Sequence, residues 1–387
     1  MACVSVSNNL IAVTAKYSSI FMRLSDQKFN LVEAEPNRPN RFSDDGKELS
    51  LDVASSAISP CGKLFAYSIN NKLMSVWDID NWQLLVSKTI PRGASKICFT
   101  ADSKNVIVAD KAGEVFSFNL DSAEEKGTFL LGHVSILLDM ILTSDNFIIT
   151  CDRDEKIRVS HYPNSYNIQS YCLGHEEFVT SINLFNANAK TILSSSGDGT
   201  MRFWNYLTGA ELRVYNCSND VQPDAEKPIP VTKVQVTQFN PTLHIACVSL
   251  HKHSEVLVYH ITNNLNVTLN QRISLPKPPL YILLTETKDL WALHYEGVQV
   301  YSLDRSRKSF IVSSNNKFKS ALEILNKHIA AFSPSIEESG EIGVLYKRKY
   351  NEVQDYLERK KTRISEEDSD SDDGPPQYDN QPVEVSA

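Results

Sequence analysis

Apolar and polar positions alternate along most of the chain in short runs bounded by turn residues, the period-two signature of half-buried strands. The clearest run is Asp198-Gly199-Thr200-Met201-Arg202-Phe203-Trp204. Asn71-Lys72-Leu73-Met74-Ser75-Val76-Trp77-Asp78 has the same form. So do Ala112-Gly113-Glu114-Val115-Phe116-Ser117-Phe118 and Asp154-Glu155-Lys156-Ile157-Arg158-Val159-Ser160. Weaker copies end at Tyr259 and Tyr301, and a degenerate first copy is Ile20-Phe21-Met22-Arg23. Turn signals precede further apolar runs at Ser59-Pro60-Cys61-Gly62, Thr100-Ala101-Asp102-Ser103 and Thr143-Ser144-Asp145-Asn146. The period-two pattern gives way to helical spacing only near the end, where Tyr346, Tyr350, Val353, Leu357 and Ile364 fall on one face.

The runs repeat. Their last positions are 23, 77, 118, 160, 204, 259 and 301, with spacings of 54, 41, 42, 44, 55 and 42 residues. The two long spacings contain insertions, Asp26 to Ser50 and Asn216 to Pro230. Without these the period is near ~42, within the range of WD-type repeats. Leu131-Gly132-His133 and Leu173-Gly174-His175 recur in phase. Gly-His, a hydroxyl run, Asp-Gly and Trp form the grammar of such a repeat. In the best copy His175, Ser194, Asp198 and Trp204 are expected to form a buried relay from imidazole to indole. Seven units of four strands predict an all-β, seven-bladed WD-repeat β-propeller over residues 1–340. Closure is expected to use the N-terminal run Cys3 to Ser7 as a strand completing the last blade. A basic amphipathic helix is expected over 341–364 and a disordered acidic tail over 365–387.

A search for chemistry returns little. No P-loop, HExxH, GxSxG or GxGxxG pattern occurs. Gly197-Asp198-Gly199 is the hairpin turn of a repeat. His251-Lys252-His253, with His260 nearby, reads as an exposed loop rather than a metal site. No cofactor and no metal is expected. The seven cysteines have no CxxC pair and read as dispersed free thiols. Met1 to Val13 lacks the charge and apolar run of an export signal, and no window suggests a membrane span.

One turn carries more charge than a turn needs. Asp152, Arg153, Asp154, Glu155, Lys156 and Arg158 put six charges into seven positions. Turn chemistry requires only Asp or Gly and a small residue, so the excess points to water or a charged partner. Alternation places Lys156 and Arg158 on one face of the next strand. Ser160 replaces the aromatic, so the relay is expected to be absent from this unit.

These residues carry a resemblance. The runs Leu131-Gly132-His133, Asp152 through Ser160, Cys172 through Val179, Leu193 through Thr200 and Val108 through Phe118 resemble the non-catalytic WD-repeat subunit of tRNA (guanine-N7)-methyltransferase, the Wuho family. The good match covers roughly residues 95–215. Gly-His and Asp-Gly-Thr are generic to WD repeats, whereas the Asp152–Ser160 string is specific. The resemblance implies a heterodimer with a separate, S-adenosylmethionine-dependent catalytic subunit that methylates guanine N7 at position 46 of tRNA. This chain would stabilise that subunit and help hold the tRNA. Carried over, Asp152, Arg153, Asp154, Glu155, Lys156 and Arg158 would contact the partner, with Lys111 on the preceding turn. Arg158 is the first choice, gripping a partner carboxylate bidentately. The expected location is the nucleus, with the cytoplasm second. The competing class is a WD-repeat adaptor with other clients, such as a ubiquitin-ligase receptor or nuclear scaffold. A propeller enzyme has no motif behind it.

Charge changes the picture last. The formal net charge of −8, from 39 Lys+Arg and 47 Asp+Glu, argues at first against a nucleic-acid role. Residues 365–387 hold eight of the acids and no Lys or Arg, so the remainder balances at 39 against 39. Serines set among those acids, such as Ser369 and Ser371, suit an acid-directed kinase. On the basic helix, Lys347, Arg348, Lys349, Arg359, Lys360 and Lys361 are expected to meet tRNA phosphate.

Overall fold

A computed structural model describes the strands within residues 3–33. It also describes residues 53–313 apart from positions 70–71, 82, 125, 187 and 224–226, and then 318–320, 322–327, 342–347 and 360. The described residues form seven four-stranded antiparallel sheets, each from four consecutive strands in sequence order. They span residues 3–33, 53–89, 94–132, 137–172, 179–216, 231–274 and 281–312. All seven repeat anchors fall on the third strand of a sheet: Arg23, Trp77, Phe118, Ser160, Trp204, Tyr259 and Tyr301. The period-two runs thus became strands, and the Gly- and Asn-containing turns became hairpins.

The N-terminal strand departs from expectation. Cys3–Val6 pairs with Leu10–Ala15 and opens the first sheet, with Val4 opposite Val13. It adds no strand to the seventh sheet, which is completed by its own Ser309–Val312. Each sheet is therefore covalently continuous. Val4, Ile11, Val13 and Met22 of the first sheet share a core cluster with Trp291, Leu293, Val298 and Val300 of the seventh. Phe318 and Leu325 join that cluster from residues that are helical, 318–320 and 322–327. Asn326 accepts from the Val298 N–H at 2.7 Å through Oδ1, so this helix is tied to the seventh sheet by polar and apolar contacts.

The first strand of each sheet explains how neighbours register. Most begin with the same bulge, between Val53 and Ser55, Leu137 and Asp139, Val179 and Ser181, and Val231 and Lys233. In this register Ser55, Lys96, Asp139, Ser181 and Lys233 are equivalent positions. Where the residue can accept, it takes a backbone N–H from the next sheet. Ser55 takes that of Ile97 at 3.0 Å, Asp139 that of Ile182 at 3.3 Å, and Ser181 that of Val234 at 3.1 Å. A bulge re-aims a side chain, and here it aims Ser55, Lys96, Asp139 and Ser181 at the adjoining sheet, while Lys233 reaches back to Asp139.

Asp139 does more than its equivalents. Its carboxylate also pairs with Lys96 at 2.7 Å and Lys233 at 3.1 Å, so it touches the third, fifth and sixth sheets. Burial alone would raise its pKa, but the two ammonium groups outweigh that and pull it down to about 2. Lys96 is likewise held charged, its pKa raised by Asp139 against its own burial.

Candidate functional site

The best-conserved copy of the repeat grammar within the chain sets the reference geometry. Trp204 Nε1–H donates to Ser194 Oγ at 2.8 Å. Ser194 Oγ and His175 Nε2 lie 2.8 Å apart, and His175 Nδ1 lies 2.8 Å from Asp198 Oδ2. Asp198 also accepts from the Thr200 N–H and hydroxyl. A neutral imidazole protonated on Nδ1 satisfies every member, with Ser194 donating to Nε2. Burial lowers the His175 pKa despite the adjacent carboxylate. Burial would raise that of Asp198, but hydrogen bonds from His175 and Thr200 hold it well below the usual carboxylate range. Four side chains thus stitch one connecting loop to the turn and to the third strand.

The charged unit carries a shorter version of this relay. His133 Nδ1 is 2.8 Å from Asp152 Oδ2, and His133 Nε2 is 2.8 Å from Thr150 Oγ1. Only the aromatic member is missing. The usual relay to an aromatic is absent, as Ser160 led to expect, but Thr150 supplies the hydroxyl and Asp152, two residues earlier in the turn, the carboxylate of this shorter one. Asp152 is consequently buried, and its other oxygen accepts the Lys156 N–H at 2.9 Å. Both oxygens serve the turn from within, so Asp152 is a support of the charged surface rather than part of it.

Arg158 is also internal. It is only 9% exposed. Nε donates to Ser160 Oγ at 2.9 Å, and the two terminal nitrogens donate to the carbonyls of Gly132 at 3.1 Å and Ser165 at 2.9 Å. No carboxylate pairs with it among these contacts, and burial lowers its pKa. Three of its five N–H groups are committed to these internal bonds. Ser160, in place of an aromatic, opens the space that the arginine fills. Strand alternation misled here because Ile157, Arg158, Val159 and Ser160 are all buried between neighbouring sheets.

The remaining charges do lie at the surface. Lys156 is exposed, while Arg153, Asp154 and Glu155 are half-buried along the turn. Glu155 adopts the left-handed region at φ 70°, where the equivalent positions carry Gly113 and Gly199. Arg153 N–H bonds to the Ile136 carbonyl at 2.9 Å, fixing the turn to the loop 133–136. That loop leans on the preceding turn, where Lys111 is exposed: His133 N–H donates to the Gly113 carbonyl at 2.7 Å. A Cβ on Gly113 would lie 2.5 Å from the Ser135 carbonyl and 2.6 Å from that of His133, so only glycine allows this approach. Lys111 and the turn 153–156 are therefore brought onto one continuous surface, with Val134 on the loop bonded to both turns.

Val134 was not signalled by sequence. It is 106% exposed, an apolar residue on a loop stapled at three points. A local pattern could not reveal it, because its neighbours Leu131 and Leu137 are buried and the run looks like a strand boundary.

The C-terminal contact residues fare differently. Gly343–Leu345 is a 3-10 turn, and Tyr346 is extended rather than helical. Its ring packs edge-on against Phe178, with centroids 5.1 Å apart, beside the Gly174-His175 loop. Lys347 is exposed, and Lys360 is helical and exposed. Arg348, Lys349, Arg359 and Lys361, with the acidic tail, lie outside the described residues. No group of His, Cys, Asp and Glu able to hold a metal occurs among the described residues. His253 pairs with Glu255, and His260 with the Lys308 carbonyl, so these two imidazoles serve separate partners. No described helix is long and apolar enough to cross a membrane.

Residues 121–321 match the family model described as the tRNA methyltransferase TRM82 WD40 domain. The tRNA (guanine-N(7)-)-methyltransferase non-catalytic subunit wuho of Drosophila melanogaster is 31% identical over 345 residues, covering 83% of this chain and 77% of that protein. The non-catalytic subunit wdr4 of Xenopus laevis is 28% identical over 355 residues, covering 89% and 88%. Among solved structures, U3-55K superposes with a TM-score of 0.61 at 20% identity, covering 74% of this chain and 85% of that one. A chain of the mitotic checkpoint complex superposes at 0.62 with 14% identity, covering 75% and 85%. The structural likenesses concern the fold alone.

Proposed function

We propose, because this chain belongs to the family of non-catalytic WD-repeat subunits of tRNA (guanine-N(7)-)-methyltransferase, that it binds and stabilises a separate catalytic subunit. That subunit would carry S-adenosylmethionine and methylate guanine N7 at position 46 in the variable loop of tRNA. The seven sheets would close into a propeller, with the shared core of the first and seventh sheets as the seam. A rigid, closed scaffold presents loops with little ordering cost on binding.

The observation that carries this reading is the charged turn: surface charges of both signs fixed from beneath by buried anchors. Arg153, Asp154, Glu155, Lys156 and Lys111 would meet the partner directly. Asp152 and Arg158 would act through the turn, one by bonding His133 and the Lys156 N–H, the other by bonding Ser160 and two carbonyls. Preorganised charges of both signs favour specificity and orientation of docking over raw affinity. No cofactor is assigned to this chain. Lys347, Arg348, Lys349, Arg359, Lys360 and Lys361 would hold tRNA through the backbone, an affinity that falls with salt. The nucleus is the compartment proposed.

Affinity purification of the chain from cells tests the reading. Recovery of an S-adenosylmethionine-dependent methyltransferase in near-stoichiometric amount is expected. Recovery of a ubiquitin ligase or other assembly instead would place the chain among general adaptors.

A further inference from the structure

We propose that Val134 is the apolar anchor of the docking seat for the catalytic subunit, on a surface made by the turns at 110–114 and 152–156 and the loop 133–136. This rests on the reading above and adds to it the residue on which docking depends. Three independent observations converge here.

The first is exposure on a rigid base. Val134 projects its whole side chain into water, yet its loop is fixed by His133 N–H on Gly113, His133 on Asp152 and Thr150, and Ile136 on Arg153. Single exposed apolar residues on mobile loops are ordinary. One held by bonds to two neighbouring turns loses little entropy when it enters a pocket.

The second is unsatisfied polarity. Nine buried side-chain polar atoms among the described residues have no hydrogen-bond partner, and four lie at this seat. They are Asp110 Oδ2, Ser135 Oγ, Arg153 Nε and Asp154 Oδ1. Such atoms are rare in folded proteins and each is costly. Arg153 Nε and Asp154 Oδ1 face each other at 3.6 Å, too far for a hydrogen bond. A partner that drew these two side chains outward would give both groups bonds that the free chain lacks.

The third is charge arrangement. The loop that carries Val134 is bonded at one end to the turn of Lys111 and at the other to the turn of Arg153, Asp154, Glu155 and Lys156. An apolar centre ringed by charges is the anatomy of an interface core and its rim. The partner that fits presents a small apolar pocket with carboxylate and basic groups at its edge. A nucleic-acid ligand does not suit the seat, because Asp154 and Glu155 would face phosphate.

The test measures affinity of purified full-length chain for the purified catalytic subunit. Val134→Asp puts a charge into the pocket, and Val134→Ala removes its packing. Burying a valine side chain is worth enough that Val134→Ala should weaken binding about tenfold, and Val134→Asp by about a hundredfold or more. Val312→Asp, at another exposed valine on the outer strand of the seventh sheet, should leave affinity unchanged. As the position is fully exposed, thermal unfolding of all three variants should match the parent. Normal affinity of Val134→Asp, with the parent binding, would overturn the anchor and leave the family reading standing. Equal losses from Val134→Asp and Val312→Asp would also overturn it. Failure of the parent to bind would overturn both.

Discussion

Arg158→Leu separates a structural arginine from an interfacial one. The substitution removes three donated bonds, to Ser160 Oγ, the Gly132 carbonyl and the Ser165 carbonyl. Ser160 and Ser165 are buried at 0% and 1% exposure, so water cannot replace the arginine there. A hydrogen bond from a charged donor contributes about 1.5–3 kcal/mol, and a buried acceptor left bare costs about 1–3 kcal/mol. Gly132 is exposed and its carbonyl can turn to water. Two buried bonds therefore set the loss at about 3–5 kcal/mol, and leucine packing restores about 1–2 kcal/mol of it. A net destabilisation of about 3 kcal/mol follows, a Tm decrease of roughly 5 °C in a chain of this size. Urea unfolding and calorimetry read the stability. Titration with the catalytic subunit at 10 °C, where the variant stays folded, reads the affinity. The expected affinity change is less than tenfold, transmitted only through slack in the turn. A variant with parental stability and abolished binding would show that the guanidinium faces the partner, and the internal bonding described here would be wrong.

Two further outcomes follow from buried charge. Asp139→Asn leaves Lys96 and Lys233 without their shared anion, and breaking such a buried pair costs about 3–5 kcal/mol; urea unfolding should show this, with part of it recovered by Lys233→Met, and a silent Asp139→Asn would contradict the hub. Stability should also fall on acidification. Burial keeps the pKa of His175, His244 and His294 below the ordinary value. Between pH ~6.5 and their folded values the unfolded chain binds protons that the folded one refuses, so their contribution is intact above ~6.5 and lost below it. Each adds a slope of up to about 1.4 kcal/mol per pH unit. Asp139 contributes above the ordinary carboxyl value of 3.8 and loses this toward about 2. A urea midpoint unchanged from pH 7 to pH 5 would refute the buried neutral imidazoles.

Sequence legibility followed the range of the interactions. Period-two runs and turn residues are local, and all seven anchors landed on third strands. The grouping of His175, Ser194, Asp198 and Trp204 was also readable, since the spacing within one repeat brings those positions together. The place of Cys3–Val6 was not, because alternation states that a strand exists and not which edge it joins. The Asp139 hub joins residues separated by up to 94 positions, and no local pattern contains it. Arg158 misled because charge ordinarily signals exposure. Here a serine in place of an aromatic made room for a guanidinium, and the carbonyls of Gly132 and Ser165 satisfied it. The surface turn was legible as a cluster of charges, but Val134 on the loop bonded to it depended on loop geometry.

Reconstitution tests the central claim most directly. The purified chain, the purified catalytic subunit, S-adenosylmethionine and tRNA should form a stoichiometric complex that methylates guanine N7 faster than the catalytic subunit alone, while the chain by itself transfers nothing. Absence of a complex, or methyl transfer by this chain alone, would contradict its assignment as a non-catalytic subunit.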